Sequence, residues 1–123
     1  MTAPKNPKVV GSPFNADTLD FNQEDALGSS GSGTVNIDWT VAQKQAITLT
    51  GTPTFTFTAP PGPTTVQLRL TQDGTGGRTV TWPAILWVSK TAPTLSPAAN
   101  AVDIVSLFWN GTSYYGTYSQ NFG

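Results

Sequence analysis

Apolar and polar residues alternate with a period of two through most of the chain from Thr34 onward. Because successive side chains of a β-strand point to opposite faces, this alternation predicts strands with one apolar face and one threonine-rich face. Glycine- and proline-containing turns separate the runs at 50–53, 59–63, 73–77 and 110–111, and no long helical pattern interrupts them. We therefore predict an all-β antiparallel β-sandwich of seven or eight strands, jelly-roll or immunoglobulin-like.

The first 33 residues differ from the rest and predict an extended N-terminal arm. They contain three prolines and end in a Gly/Ser tract at 28–33, a composition typical of flexible linkers. The predicted domains are thus an arm over 1–33 and a β-sandwich over 34–123. Segments of this kind can become ordered on a partner. The candidate partner contacts are the apolar residues of the arm: Val9, Val10, Phe14, Leu19, Phe21 and Leu27.

Two glycine-rich turns suggest hairpins. Asn110-Gly111 is the strongest two-residue hairpin signal and predicts a turn between two late strands. The loop at 73–77 is expected to close a hairpin between 66–70 and 80–82, with Asp73 and Arg78 pairing across it. No internal repeat is evident that would predict a solenoid.

Composition argues against most chemistry. The 123 residues include no Cys and no His, so the common metal ligands and the usual general base are missing, and we expect no catalytic, metal or cofactor site and no enzymatic activity. The net charge is −1 with scattered cations, which predicts no nucleic-acid binding. No segment has the ~20 apolar residues of a membrane span, and the N-terminus has no secretory apolar region, so we expect neither membrane association nor secretion.

Aromatic side chains are the main candidates for recognition. We expect Trp39, Phe57 and Trp82 to fill the core, since aromatic residues favour burial. Tyr114 and Tyr115 are adjacent, so in a strand they point to opposite faces. Exposed aromatic rings could stack on sugars, and the candidate exposed aromatics are Trp87, Tyr115 and Tyr118.

Two runs resemble a known family. The run Leu-Thr-Gln-Asp-Gly-Thr-Gly-Gly-Arg-Thr-Val-Thr-Trp-Pro at 70–83 and the run Asp-Ile-Val-Ser-Leu-Phe-Trp-Asn-Gly-Thr-Ser-Tyr-Tyr-Gly at 103–116 are similar to the small all-β domain of tailed-bacteriophage virion proteins. That group includes tail fibres, baseplate parts and capsid decoration proteins. The resemblance covers about residues 34–123 and implies a non-enzymatic structural protein of the virion.

The short chain and its arm favour one member of this group, a capsid decoration (cement) protein that stabilises the outside of the expanded capsid. This reading implies the major capsid protein as partner, a homo-oligomer with a trimer favoured, and a place on the outer capsid surface after assembly in the host cytoplasm. The alternative is a tail-fibre or baseplate receptor-binding tip that recognises host-surface glycans. The two readings differ in whether the protein binds capsids or cell-surface sugars.

Overall fold

A computed structural model of the protein describes residues 23–123. Within that range the chain forms eight β-strands and one short 3₁₀ turn, so the all-β prediction is confirmed. In chain order they are β1 (Asp25–Ser29), β2 (Thr34–Asp38), β3 (Lys44–Leu49), β4 (Thr54–Thr58), β5 (Thr64–Gln72), β6 (Leu86–Trp87), the 3₁₀ turn (Val88–Lys90), β7 (Val102–Trp109) and β8 (Tyr114–Phe122).

The strands form two sheets that enclose the core between them. The larger sheet has six strands in the order β1-β3-β5-β7-β8-β6, and the smaller sheet pairs β2 with β4. Only the β5–β7 and β7–β8 pairs are antiparallel, whereas β1–β3, β3–β5, β2–β4 and β6–β8 are parallel. The predicted antiparallel sandwich is therefore wrong in its strand directions, although the two-layer arrangement resembles a sandwich.

The parallel pairs arise because the chain coils between the two sheets. From β1 to β5 each strand lies in the opposite sheet from the one before it, and each new coil pairs with the previous coil about 20 residues earlier. Thr34 pairs with Thr54 and Asp25 with Gln45 in this way. The coils thus form a structural repeat, although no internal repeat is evident in the sequence. The coils repeat strand positions while their residues differ, because many apolar side chains can fill one inward position.

The larger sheet begins before the predicted domain boundary. Strand β1 lies in the range assigned to the arm, and its Leu27 packs against the core instead of standing free for a partner. The Gly/Ser tract that follows is a structured turn. The backbone N–H of Ser30 donates to Thr48 O at 2.9 Å, and the buried Ser30 Oγ accepts from the Thr50 N–H at 3.1 Å.

Inward-facing side chains of both sheets form one apolar core. The prediction for Trp39 is confirmed, since it is fully buried, and Phe57 and Trp82 are partly buried against the same cluster. The predicted opposition of Tyr114 and Tyr115 is also confirmed, because the first is buried and the second exposed. The fully buried apolar residues from the two sheets include Ile37 and Phe55 on one side and Val66, Leu68, Val105 and Leu107 on the other.

The two hairpin predictions had different outcomes. The β7–β8 hairpin is confirmed, with Asn110 N–H donating to Ser113 O at 3.2 Å. The 73–77 hairpin is wrong, because β5 continues to Gln72 and pairs with β7. The predicted ion pair between Asp73 and Arg78 does form, at 2.8 Å. The loop that this ion pair spans is also held by Gln72. The buried side-chain amide of Gln72 donates hydrogen bonds to Arg78 O and Ser96 O, and it accepts one from the Arg78 N–H.

A buried carboxylate ties the long 73–101 connection to the C-terminal strand. Asp103 is only 3% exposed, and its oxygens accept from the backbone N–H groups of Ser96 and Asn121, both at 2.8 Å. Burial opposes the charged form, but hydrogen bonds from Ser96, Asn121 and Gln120 together outweigh it and hold the pKa of Asp103 below its ordinary value. The negative charge of Asp103 is therefore part of the folded state.

We predict that Asp103→Asn destabilises the protein by ~1–3 kcal/mol at neutral pH, because the amide NH₂ cannot accept a hydrogen bond and one backbone N–H loses its partner. A lowered folded pKa contributes stability above the unfolded pKa near 4, and this stability is lost as the pH falls through the folded value. Urea unfolding should thus show a difference between variant and wild type that shrinks below about pH 4.

Glu24→Gln is the matched control, because the ion pair of Glu24 with Arg69 lies at the solvent-exposed surface. Its removal should change the free energy of unfolding by less than about 1 kcal/mol. Equal unfolding curves for Asp103→Asn and wild type at neutral pH would contradict the assigned role of Asp103.

Candidate functional site

Aromatic rings in contact with one another link the core to one end of the molecule, and the first two contacts are edge-to-face. Trp39 contacts Phe57 at a centroid distance of 5.6 Å, and Phe57 contacts Tyr114 at 5.1 Å. Tyr114 in turn lies 4.5 Å from Trp109, with the two rings tilted by 39°. The series starts at the fully buried ring of Trp39 and ends at the half-buried ring of Trp109. The position of Trp109 is therefore fixed by its packing on Tyr114.

The outer end of this series opens into a cleft of about 440 Å³, here called the end cleft. It lies where β4 and β7 end and β8 begins, and the segment before β6 closes its other side. Thr112 and Ser113, from the β7–β8 turn, supply polar groups beside the rings. The lining residues are Phe57, Pro83, Ala84, Ile85, Leu86, Trp109, Thr112, Ser113 and Tyr114.

The polar rim of the end cleft is held in place by its own turn. The side-chain oxygen of Asn110 accepts from the backbone N–H groups of Thr112 and Ser113, both at 2.8 Å. Gly111 has a positive φ of 98°, which glycine adopts without steric cost. The rim is thus preorganised by local hydrogen bonds.

The buried polar atom at this cleft has no hydrogen-bond partner. The Tyr114 hydroxyl is buried and forms no hydrogen bond within residues 23–123, although the side chain lines the end cleft. Burial raises the pKa of Tyr114, so the phenol is neutral at physiological pH and can donate. An unpaired buried hydroxyl normally costs free energy, which makes Tyr114 a candidate for contact with a ligand.

A second concavity, here called the outer groove, lies on the solvent face of the larger sheet. It has a volume of about 450 Å³ and is lined mainly by apolar side chains of β6, β7 and β8, together with Thr65 and Ser106. Four of its residues are large, apolar and strongly exposed: Leu86 (56%), Val88 (45%), Phe108 (46%) and Tyr115 (46%). Phe108 and Tyr115 are directly paired across the β7–β8 ladder. Clustered apolar exposure of this kind marks interaction surfaces.

A glycine in β8, Gly116, leaves the space in which the Trp87 ring packs, between the two concavities. Gly116 pairs with Trp87, and a Cβ added to Gly116 would lie 2.7 Å from Trp87 Cε3 and 2.9 Å from Ile85 Cγ2. The Trp87 ring also contacts Trp82 at 5.3 Å and Tyr118 at 5.9 Å. The close approach of Gly116 therefore positions an aromatic cluster beside both the end cleft and the outer groove.

The three predicted exposed aromatics occupy different environments. Tyr115 is exposed in the outer groove, whereas Trp87 and Tyr118 are half-buried and touch each other. Tyr118 also donates its hydroxyl to Thr91 O at 3.1 Å. Of the predicted arm contacts, Leu27 packs on the core. The other five lie outside the described residues: Val9, Val10, Phe14, Leu19 and Phe21.

Sequence reasoning missed the end cleft, although one signal was present. Trp109 directly precedes the recognised Asn110-Gly111 turn, and Thr112 and Ser113 follow it, so an aromatic ring and hydroxyl groups had to meet at one strand end. Within residues 23–123 no cluster of three or more acidic, His or Cys side chains could hold a metal ion. In the same range no helix is long and apolar enough to span a bilayer.

Comparison with known proteins agrees with the phage resemblance. Residues 29–114 match the family model described as "Putative phage tail fibre C-terminal domain". The chain belongs to this tail fibre family. No curated protein and no solved structure matches it. The tail fibre domain is thus a structural domain of the phage virion, and the matched range contains β2 to β7 together with both sides of the end cleft.

We predict that Gly116→Ala destabilises the tail fibre domain by ~1–3 kcal/mol, because the added methyl group overlaps the Trp87 ring and β8 cannot move without breaking its ladder. Thermal unfolding would measure the loss of stability, and tryptophan fluorescence would report the displacement of the Trp87 ring. Gly62→Ala is the control, since a Cβ there meets nothing within 4 Å. Similar melting temperatures for the two variants would show that Trp87 is not fixed by Gly116.

Proposed function

We propose that this chain is a receptor-binding tip of a phage tail fibre that recognises a host-surface glycan in the end cleft. The observation that carries the proposal is the pairing of Trp109 with the hydroxyl-bearing rim of Thr112 and Ser113 in a domain of the tail fibre family. Sugars present apolar C–H faces and polar hydroxyl edges, so they need an aromatic surface and hydrogen-bonding groups side by side.

The rigidity of the end cleft supports this function. Trp109 rests on Tyr114, and the rim is held by the Asn110 side chain, so little conformational entropy is lost when a ligand binds. Individual sugar sites are commonly weak, and a fibre that carries several copies of its tip gains avidity from multivalent attachment to a cell surface.

The family match favours this reading over capsid decoration, because the matched family is one of tail fibres. The proposed function is non-enzymatic. Among residues 23–123, no acidic side chain lines either the end cleft or the outer groove, whereas glycoside hydrolysis generally needs two carboxyl groups on opposite sides of the scissile bond. Binding without cleavage is what these linings support.

We predict that Trp109→Leu weakens glycan binding roughly three- to tenfold, because it removes the aromatic surface while keeping an apolar side chain. The full-length protein would first be screened on an array of bacterial surface polysaccharides. The affinity for a soluble oligosaccharide of the best binder would then be measured by calorimetry, so that avidity does not enter.

Phe108→Leu is the matched control, since Phe108 is the neighbouring residue and points to the other face of the sheet. Its affinity should equal that of wild type. Undiminished binding by Trp109→Leu would remove the end cleft from the proposal. Specific pelleting of the protein with expanded capsids, without any glycan binding, would restore the capsid reading.

We further propose that the tip is a homotrimer whose subunits meet at the outer groove. Four of the six large apolar side chains that are strongly exposed in residues 23–123 lie in this groove. Their burial against a second copy would release ordered water at about 25 cal/mol per Å² of apolar area. The outer groove and the end cleft share one lining residue, Leu86, so a contact at the outer groove lies directly beside the end cleft.

We predict that Phe108→Asp shifts the protein from trimer to monomer, because a carboxylate in an apolar interface is costly to bury. Light scattering coupled to size-exclusion chromatography would give the mass. Val41→Asp is the control, since Val41 is also strongly exposed but lies outside the groove. A wild-type protein that is monomeric at high concentration would contradict the trimer.

A further inference from the structure

The end cleft is uncharged. Its polar side chains are Thr112, Ser113 and Tyr114, and no Asp, Glu, Lys or Arg from the described part of the chain belongs to its lining. Elsewhere on the described surface, charged side chains do line concave surfaces: Lys44, for example, borders a hollow with Gln43 and Gln67 at the start of β3 and β5. The end cleft shares its uncharged lining with the outer groove, whose described lining residues are also neutral.

Charge decides which sugars such a cleft can accept. A carboxylate or phosphate that moves from water into an apolar cleft loses hydration, and only a paired cation or several N–H donors offset that loss. The residues described at the end cleft include no cation. An uncharged sugar carries no such penalty, because its C–H face can lie on Trp109 while its hydroxyls reach the rim or solvent.

The unpaired hydroxyl of Tyr114 supplies a point of specificity. It is the one polar side-chain atom of the lining that is buried without a partner within residues 23–123. A neutral hydroxyl both donates and accepts, as sugar hydroxyls do, so a ligand that reaches it would satisfy a group that the protein leaves unsatisfied. The hydroxyl adds no hydrogen bond to the fold of residues 23–123, where it has no partner.

We infer that the end cleft selects an uncharged sugar over acidic sugars and that the Tyr114 hydroxyl hydrogen-bonds it. This inference rests on the proposed glycan-binding function and names the ligand class of the same site. Tyr114 acts as a specificity-determining residue, and Trp109 provides the surface on which the sugar lies.

The test compares matched neutral and acidic ligands. Calorimetry of the full-length protein with oligosaccharides that differ only by hexose or hexuronic acid should show at least tenfold tighter binding of the neutral member. The affinity for the neutral member should stay within twofold between about 50 and 300 mM salt, because a neutral sugar has no charge that could interact with a charged group of the protein. Tighter binding of the acidic member would overturn the inference while leaving glycan binding intact.

Two variants separate specificity from folding. Tyr114→Phe should weaken binding of the neutral sugar about two- to tenfold while the melting temperature stays equal or rises, because an unpaired buried hydroxyl is removed. Thr112→Lys should raise the affinity for the acidic sugar by placing a cation at the exposed rim. An unchanged affinity of Tyr114→Phe would overturn the role of the hydroxyl.

The failure of the proposed function has a different signature. If the wild-type protein binds neither member of any neutral and acidic pair, the end cleft is not a glycan site and both proposals are wrong. If it binds and prefers the acidic member, only the inferred ligand class is wrong.

Discussion

The apolar layer between the two sheets is the constraint on which the rest of the structure depends. From β1 to β5 the chain crosses from one sheet to the other after every strand. A strand therefore pairs with its neighbour in the same sheet only when the chain returns to that sheet in the next coil. The smaller sheet has two strands, and a pair of strands is marginal in water without a packed face. Burial of Trp39 and Phe55 against the larger sheet therefore stabilises the coils and the sheet pairing together.

The same layer positions the end cleft. The ring series that starts at Trp39 passes through Phe57 and Tyr114 to Trp109, so the surface available to a ligand is the last member of the core. A ring that is fixed by packing loses little freedom on binding. Because the rim comes from the β7–β8 turn, whose hydrogen bonds are local, the aromatic floor and the polar rim of the end cleft are supported independently.

Hydrogen bonds from buried polar side chains hold the long loops in place, where the small apolar core does not reach. The Gln72 amide fixes the connection after β5, and the Asp103 carboxylate fixes its return and the end of β8. Each of these side chains is buried and hydrogen-bonded to loop backbone, as burial of polar groups requires. Hydrogen bonds from buried side chains thus hold these loops in a chain that contains no cysteine and could form no disulfide.

The sequence by itself determined that strands form, which side chains face inward, and that a turn follows Trp109. The alternation of Val35, Ile37 and Trp39 carries this information, because the period of two belongs to every strand. The resemblance of 70–83 and 103–116 also identified the phage setting that the family match bears out. Strand direction did not follow, since parallel and antiparallel strands share the same period.

Only the tertiary structure decided which strands pair and what their ends bring together. Leu27 was predicted for a partner and instead packs against the core, because the coil places β1 beside β3. The 73–77 loop has turn residues but closes no hairpin, because β5 finds its neighbour in β7. The end cleft combines Phe57, Ile85 and Trp109, which are distant in sequence. Such a meeting depends on long-range packing energy, which local propensity and spacing do not encode.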